Sequence, residues 1–247
     1  MALIHSFETE GNFLFRYRGQ IPILLFIVAV PVIYFTDYLH QALYYQNCLL
    51  VIAVILSFLG FLIRAYTIGT TPRGTSGRNT NEQVAEQLNF SGIYSILRHP
   101  LYLGNYLMWI GIVLFTYNIS FVIIVTLAYW LYYERIMFAE ERFLERKFGH
   151  QYLDWSMKVP AFIPSFKRYV RSSIPFSFKS VLRREYSGVL ATVLGFCFVD
   201  VFRTYFLYGQ WRMNAILLIM VCVSAVMALL LRSLKHYSSL LQEQGRS

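Results

Sequence analysis

Six apolar stretches constrain this chain more than anything else in it. They run near 20–36, 48–68, 100–116, 119–134, 187–208 and 213–231. A helix needs about 20 mostly apolar residues to cross the hydrocarbon of a bilayer. In lipid every backbone polar group must be satisfied within the segment, so such stretches are expected as helices. Of the 247 residues 57% are hydrophobic and only 14% charged, whereas a soluble domain carries about 25% charge. The pattern predicts an all-α fold, a polytopic membrane helical bundle of about six transmembrane helices. The third and fourth stretches are short and carry Tyr, Asn and Glu near their ends, so tilt or interfacial extension is expected there. Met1–Arg18 mixes charged and polar residues without a central apolar run, and is read as no cleavable signal.

The basic residues set an orientation. Arg16 and Arg18 precede the first stretch, and the connection at 37–47 has no Lys or Arg. The second connection is assigned Arg64, Arg73, Arg78 and Arg98; the third, at 116–119, has none; the fourth, from 135 to 186, has eleven. Twenty of the 22 Lys and Arg residues therefore fall on alternate connections. By the positive-inside rule both termini and the basic connections face the cytoplasm, in a bacterial inner membrane or an equivalent cytoplasm-facing membrane. The formal net charge of +9 then points to an anionic membrane face as partner, with no nucleic acid implied. Cys48, Cys197 and Cys222 show no CxxC spacing and read as small buried hydrophobes.

Three parts follow from the pattern. Residues 1–90 form a two-span region with a Gly- and Thr-rich connection; 91–165 form a hairpin followed by a polar segment; 166–247 form a basic segment and two further spans. The connection 69–91 suits either an ordinary loop or a flap over a charged ligand, and residues 81–88 suit a short amphipathic helix with Val84 and Leu88 on one side. From Phe166 to Arg184 basic and aromatic residues alternate, as in an interfacial segment. Asp200 and Arg203, at i and i+3, are expected to pair within the bundle.

Polar residues of chemical interest gather in two phrases. The first is Gly92-Ile93-Tyr94-Ser95-Ile96-Leu97-Arg98-His99-Pro100-Leu101-Tyr102, and the second begins Glu140-Glu141-Arg142 and runs to Tyr152, closed by Val159-Pro160 and Pro164. Because two spans lie between them, both phrases belong to one end of a membrane hairpin. Pro100 suits the first turn of a helix. The positive end of that helix, beside Arg98, His99 and Tyr102, suits either an anion or a simple anchor to the membrane face. Glu140 and Glu141 diverge by about 100° on a helix, so one faces inward and the other is expected to meet water or Arg142. No G-x-S-x-G, H-E-x-x-H, Walker or G-x-G-x-x-G pattern occurs, and the five His residues are too scattered for a metal site.

Together the phrases, Gly-x-Tyr-x3-Arg-His-Pro-x-Tyr-x-Gly and Glu-Glu-x2-Leu-x3-Phe-Gly-x2-Tyr followed by Val-Pro-x3-Pro, resemble the isoprenylcysteine carboxyl methyltransferases, relatives of the membrane phospholipid methyltransferases. The resemblance covers about 75 residues. It implies an S-adenosylmethionine-dependent methyltransferase with a cytoplasmic-side cofactor pocket and a lipid or lipidated acceptor entering from the bilayer. It also implies that Tyr94, His99, Pro100, Leu101, Tyr102 and Glu140 border the cofactor, together with Glu86, Gln87, Leu88 and Asn89. Arg135 falls where the family has an arginine near the reacting centre. The chain departs from the family in having Phe138-Ala139 before only two acids, and Ala161 after Val159-Pro160.

Methyl transfer from a sulfonium is an in-line displacement in which alignment and exclusion of water matter most. An anionic acceptor needs a cation such as Arg135; an amine needs a base such as Glu141 or a tyrosine network. Two rival readings share the apolar pattern. One is a sterol-reductase-like membrane reductase using NADPH, and the other is a transporter or assembly protein without enzymatic activity.

Overall fold

The computed structural model describes residues 2–72, 74–75 and 83–246; Arg73, Arg78 and residues 81–82, counted above, lie outside them. Eight α-helices follow in order: α1 (Leu3–Arg16), α2 (Leu24–Phe35), α3 (Leu43–Thr70), α4 (Pro100–Leu114), α5 (Ile119–Phe148), α6 (His150–Ser156), α7 (Phe178–Tyr208) and α8 (Ala215–Tyr237). Short 3₁₀ turns occupy Ile21–Ile23, Gly92–Ser95 and Phe166–Arg168. No strand occurs among the described residues. The all-helical bundle expected from the apolar pattern is what forms.

Among the described residues the candidate spans are fewer than the six the pattern suggested. Four helices (α3, α5, α7 and α8) are long and apolar enough to cross a membrane, and α1 with 21–35 makes a fifth if that pair, bent by 73°, counts as one span. The 15-residue α4 extends only about 22 Å at 1.5 Å per residue, short of a hydrocarbon core of about 30 Å. Each boundary has a local cause. Pro100 opens α4, Asn118 accepts from Phe121 N at 2.9 Å to cap α5, Ser177 accepts from Ser180 N at 3.1 Å to cap α7, and Gly209 ends α7 at φ +68°. Residues 83–88 form no helix, so the amphipathic helix expected over 81–88 is not seen where the chain is described. Gln83, Ala85 and Leu88 are instead drawn against a cavity wall.

α3 and α4 pack closest because small residues face each other. A Cβ on Gly60 would stand 2.5 Å from Gly104 O, and one on Gly111 2.1 Å from Ser57 Oγ, the close backbone approach that membrane helices use. Around this seam Ile33, Ala53, Ile110, Phe121, Val125 and Val199 form the main core. Large apolar side chains such as Val51, Ile55, Phe58, Ile124 and Leu230 face outward. Cys197 is buried, but Cys48 on α3 is only half-buried and Cys222 on α8 is exposed; the reading of all three as buried hydrophobes holds for one.

Hydrogen bonds show which connections share an end. Tyr38 Oη donates to Thr116 O at 3.1 Å, Asn118 Nδ2 to Thr36 Oγ1 at 3.0 Å, and Asn214 N to Asp200 Oδ2 at 2.8 Å. The charge-poor connections therefore meet at one end. There Arg203 pairs with Asp200 at 3.1 Å, as its spacing suggested, and donates to Phe115 O at 3.2 Å. At the other end Ser177 N donates to Gly69 O at 2.9 Å, Val170 N to Ser95 Oγ at 2.9 Å, and Arg246 Nη1 to Gly69 O at 2.9 Å. The basic connections and the C-terminal tail gather here. Phe166, Tyr169 and Phe178 are exposed in the basic-aromatic stretch.

Candidate functional site

The two phrases meet through their backbones. Arg98 N donates to Pro160 O at 2.9 Å and His99 N to Ala161 O at 3.2 Å, so the Val159-Pro160 phrase lies alongside the start of α4. Ser165 N adds a bond to Ile96 O at 2.9 Å, and Trp155 Nε1 donates to Tyr94 O at 3.1 Å. Gly92, at φ +60°, turns the chain into this region and its N–H reaches Val170 O at 2.8 Å. A residue with a side chain would pay for that left-handed turn.

Arg98 is the hub behind this junction. Its Nε and Nη2 hold the two oxygens of Glu141 at 2.9 and 3.1 Å, and its Nη1 donates to Ser156 O and Val159 O at 2.6 and 2.8 Å. Bidentate pairing of this kind is geometrically demanding and strong. His99, buried, presents Nε2 to Glu141 Oε1 at 2.8 Å and Nδ1 to Glu140 Oε2 at 3.6 Å, with its ring stacked on Tyr102. Burial opposes the charged imidazolium, yet the carboxylates of Glu140 and Glu141 outweigh it and raise the His99 pKa above its ordinary 6.5. Burial pushes Tyr94 up to about 12, with the charge of Glu140 adding to it, so Tyr94 serves as a neutral hydrogen-bonding group. Glu141 thus meets Arg98 and His99, whereas Arg142 pairs with Glu145 at 2.6 Å. The expectation that the second acid meets water or Arg142 is corrected by a partner 43 residues away in sequence.

A cavity of about 460 Å³ opens beside this hub. Its walls come from the α1–α2 bend (Phe15, Arg18, Gly19, Pro22), the end of α3 (Arg64, Ile68) and the 83–89 stretch. α4 contributes Tyr102, Asn105 and Trp109, α5 contributes Tyr133, Glu140 and Phe143, and Trp155 joins with Arg184 and Glu185 of α7. Of the residues expected around a cofactor, Gln87, Leu88, Asn89, Tyr94, His99, Pro100, Leu101, Tyr102 and Glu140 line it. Glu86 does not: its N–H goes to Gly74 O at 2.8 Å and its carboxylate lies close to Gly74. Glu141 stands behind the wall. Arg135 lies away from it, its Nε 3.3 Å from Glu10 Oε2 and its guanidinium 3.3 Å over the Phe7 ring, both on α1.

The pattern of apolar stretches missed several wall residues. Arg64, counted above in a basic connection, lies inside α3 and is held by Glu185 at 2.6 and 2.7 Å and by Asn105 at 2.5 Å. Arg18 and Arg184, counted above among the basic connections, both line the cavity.

Residues 48–151 match the sequence profile of the phospholipid methyltransferase family. This segment, less than half of the chain, is similar to that family. Individual proteins agree with that. The chain is 28% identical over 114 residues to the protein-S-isoprenylcysteine O-methyltransferase of Schizosaccharomyces pombe, covering 44% of this chain and 48% of that one. It is 32% identical over 109 residues to protein-S-isoprenylcysteine O-methyltransferase B of Arabidopsis thaliana, covering 43% and 54%. The cobalt-zinc-cadmium resistance protein CzcN of Cupriavidus metallidurans is 34% identical over 94 residues, covering 38% and 41%. The chain therefore spans about half or less of the length of these relatives. No solved structure matches the chain significantly.

Proposed function

We propose that this protein is an integral membrane methyltransferase that binds S-adenosylmethionine in the cavity beside His99 and Glu140. The acceptor in this reading is a lipid or lipidated molecule, presented at the membrane face that carries the basic connections. The observation that carries it is the convergence of two distant phrases, within the family segment, on one cavity wall. The O-methyltransferase names among the relatives support the same reading. In this reading the end that carries the basic connections faces the cytoplasm, which the positive-inside rule supports.

The residues present suit this cofactor. A cavity of about 460 Å³ lies within the range of small-molecule sites. It offers a carboxylate, Glu140, among aromatic rings, Tyr94, Phe143 and Trp155, which suits a sulfonium cation. Gln87 and Asn89 add side-chain amides that donate and accept. When bound, the cofactor supplies a methyl group already activated on a positively charged sulfur. The chain's own part is then to bind, orient and exclude water. Glu140 meets the positive end, Tyr94 stays protonated and hydrogen-bonds, and His99 holds Glu140 in place from behind. Glu141 acts as a positioning residue through Arg98 and His99. Arg135 anchors α1 against α5.

Calorimetry of S-adenosylhomocysteine on the purified protein tests the cofactor. NADPH serves as the contrasting ligand for the reductase reading. Binding of the former alone is expected, and labelled methyl donor with a total lipid extract should yield a labelled lipid by mass spectrometry. Binding of NADPH with no binding of S-adenosylhomocysteine would overturn the proposal.

A further inference from the structure

Residues 156–183, between α6 and α7, lie outside the cavity wall. They hold six Lys and Arg residues and no Asp or Glu. Lys167, Arg168, Arg171 and Lys179 are exposed. So are large apolar side chains among them: Phe166 and Phe178 at 75%, Ile163 at 73% and Tyr169 at 51%. Apolar groups of this size, grouped on one connection, mark a surface made to be covered.

The stretch is tied down on both sides. Gly92 N donates to Val170 O at 2.8 Å, and Val170 N to Ser95 Oγ at 2.9 Å. The Tyr169 hydroxyl lies 3.1 Å from that of Tyr66 on α3, and Ser177 N donates to Gly69 O at 2.9 Å. Its cations and rings are therefore presented on a held backbone.

Position and charge select what covers it. The stretch runs into α7 and is bonded to the end of α3. Both helices are candidate spans, which sets it at a bilayer surface. A second copy of this chain would bring the same cations into contact. An anionic leaflet instead supplies phosphates to the cations and an acyl boundary to the rings.

The same bonds lead to the cavity. Val170 is clamped between Gly92 and Ser95, and Tyr94, which stands between those two, lines the cavity. Phe176 lies against Gly69, where a Cβ would come within 2.4 Å of its ring, and the preceding residue, Ile68, lines the cavity too.

We infer that residues 163–179 seat among the head groups of an anionic leaflet, and that this seating holds Tyr94 and the end of α3 in place on the cavity wall. Anionic lipid is thereby a regulator of the cavity, distinct from any acceptor inside it. The link to the cavity, though not the seat itself, rests on the cavity being the cofactor site.

The test uses the full chain in phosphatidylcholine nanodiscs. Cys48, Cys197 and Cys222 are changed to Ala, and Ser173→Cys, at an exposed position, carries a fluorophore. The discs contain equal small amounts of doxyl-phosphatidylglycerol or doxyl-phosphatidylcholine, whose nitroxide quenches it. The anionic label should be enriched about 5-fold or more, the weight of one cation near an anionic lipid head. High salt should erase the preference. Changing Lys167, Arg168, Arg171 and Lys179 together to Gln should equalise the two labels at an unchanged thermal midpoint. Calorimetry in the same discs reads the link. Unlabelled phosphatidylglycerol should tighten S-adenosylhomocysteine binding about 5-fold or more, the scale of a coupling between sites. The fourfold variant should bind it equally in both kinds of disc.

Equal quenching by the two labels in the wild type, or a preference that survives the fourfold change, would overturn the seat. So would saturable binding of polyglutamate at the fluorophore without any lipid preference, which would make the stretch a protein-docking surface. An enriched anionic label with S-adenosylhomocysteine affinity the same in both discs would overturn the link. A protein that enriches the label but binds no S-adenosylhomocysteine in either disc would instead refute the methyltransferase reading, with the seat intact.

Discussion

Two neighbouring glutamates carry different work because a helix turns about 100° between them. Glu140 lines the cavity, and Glu141 locks Arg98 and His99 behind it. Glu140→Ala should weaken S-adenosylhomocysteine binding about 10- to 100-fold, the value of about 1.5–3 kcal/mol for a hydrogen bond to a charged group; titration calorimetry reads it directly. Arg98→Ala should act on stability instead. It leaves Glu141 with His99 alone and the carbonyls of Ser156 and Val159 without their donor, so the thermal midpoint in detergent should fall. His99 ties stability to pH. Its folded pKa is raised above 6.5. The stabilisation from its charge is therefore fully present below about pH 6.5 and is lost as pH climbs through the raised folded value. The thermal advantage of wild type over His99→Gln should be largest near pH 6 and shrink steadily toward pH 9. A constant difference would mean that His99 does not carry a proton between the two carboxylates.

At the level of elements, the α3–α4 seam decides how the cavity is framed. Arg64 on α3 and Asn105 on α4 touch at 2.5 Å only because Gly60 and Gly104 let the backbones approach. A methyl group on Gly60 would meet Gly104 O at 2.5 Å and Met108 N at 2.8 Å, backbone atoms that cannot swing aside. Gly60→Ala should cost about 1–3 kcal/mol as overpacking. Gly188→Ala on α7, where the nearest atom is Glu185 Oε2 at 3.5 Å, should be neutral or slightly stabilising, since Ala is the better helix former by up to about 1 kcal/mol. Comparing the two midpoints separates helix propensity from close approach.

For the whole molecule, the hydrogen bonds divide the connections between two ends. Thr36, Tyr38, Thr116 and Asn118 share one, and Gly69, Ser95, Val170, Ser177 and Arg246 the other. Charge bias then predicts sidedness. Reporter fusions near residues 42, 118 and 210 should report one side of the membrane, and fusions near 160 and 240 the cytoplasmic side. A cytoplasmic signal at 118 would separate the two phrases and dismantle the cavity as a shared site. The bent pair of α1 and 21–35 matters at this scale too, since its bend supplies Arg18 and Pro22 to the wall.

Residue type and order alone were enough for the helical class, the positions of the apolar stretches, the alternation of basic connections and the Asp200–Arg203 pair. These depend on local hydrophobicity and short spacing, which a linear string carries. The cavity residues of the two phrases were also legible, because Tyr94, His99, Pro100 and Tyr102 lie within nine positions of one another and enter the site as one piece. What tertiary structure decided is every contact of long separation. Arg64 finds Glu185 across 121 positions and Arg98 finds Glu141 across 43, and nothing in either neighbourhood names the partner. It also decided facing. Arg135 turns to α1 and Glu141 turns to Arg98, because the rotation of α5 is set by what packs on each side of it: Phe7 and Glu10 on one, His99 and Arg98 on the other.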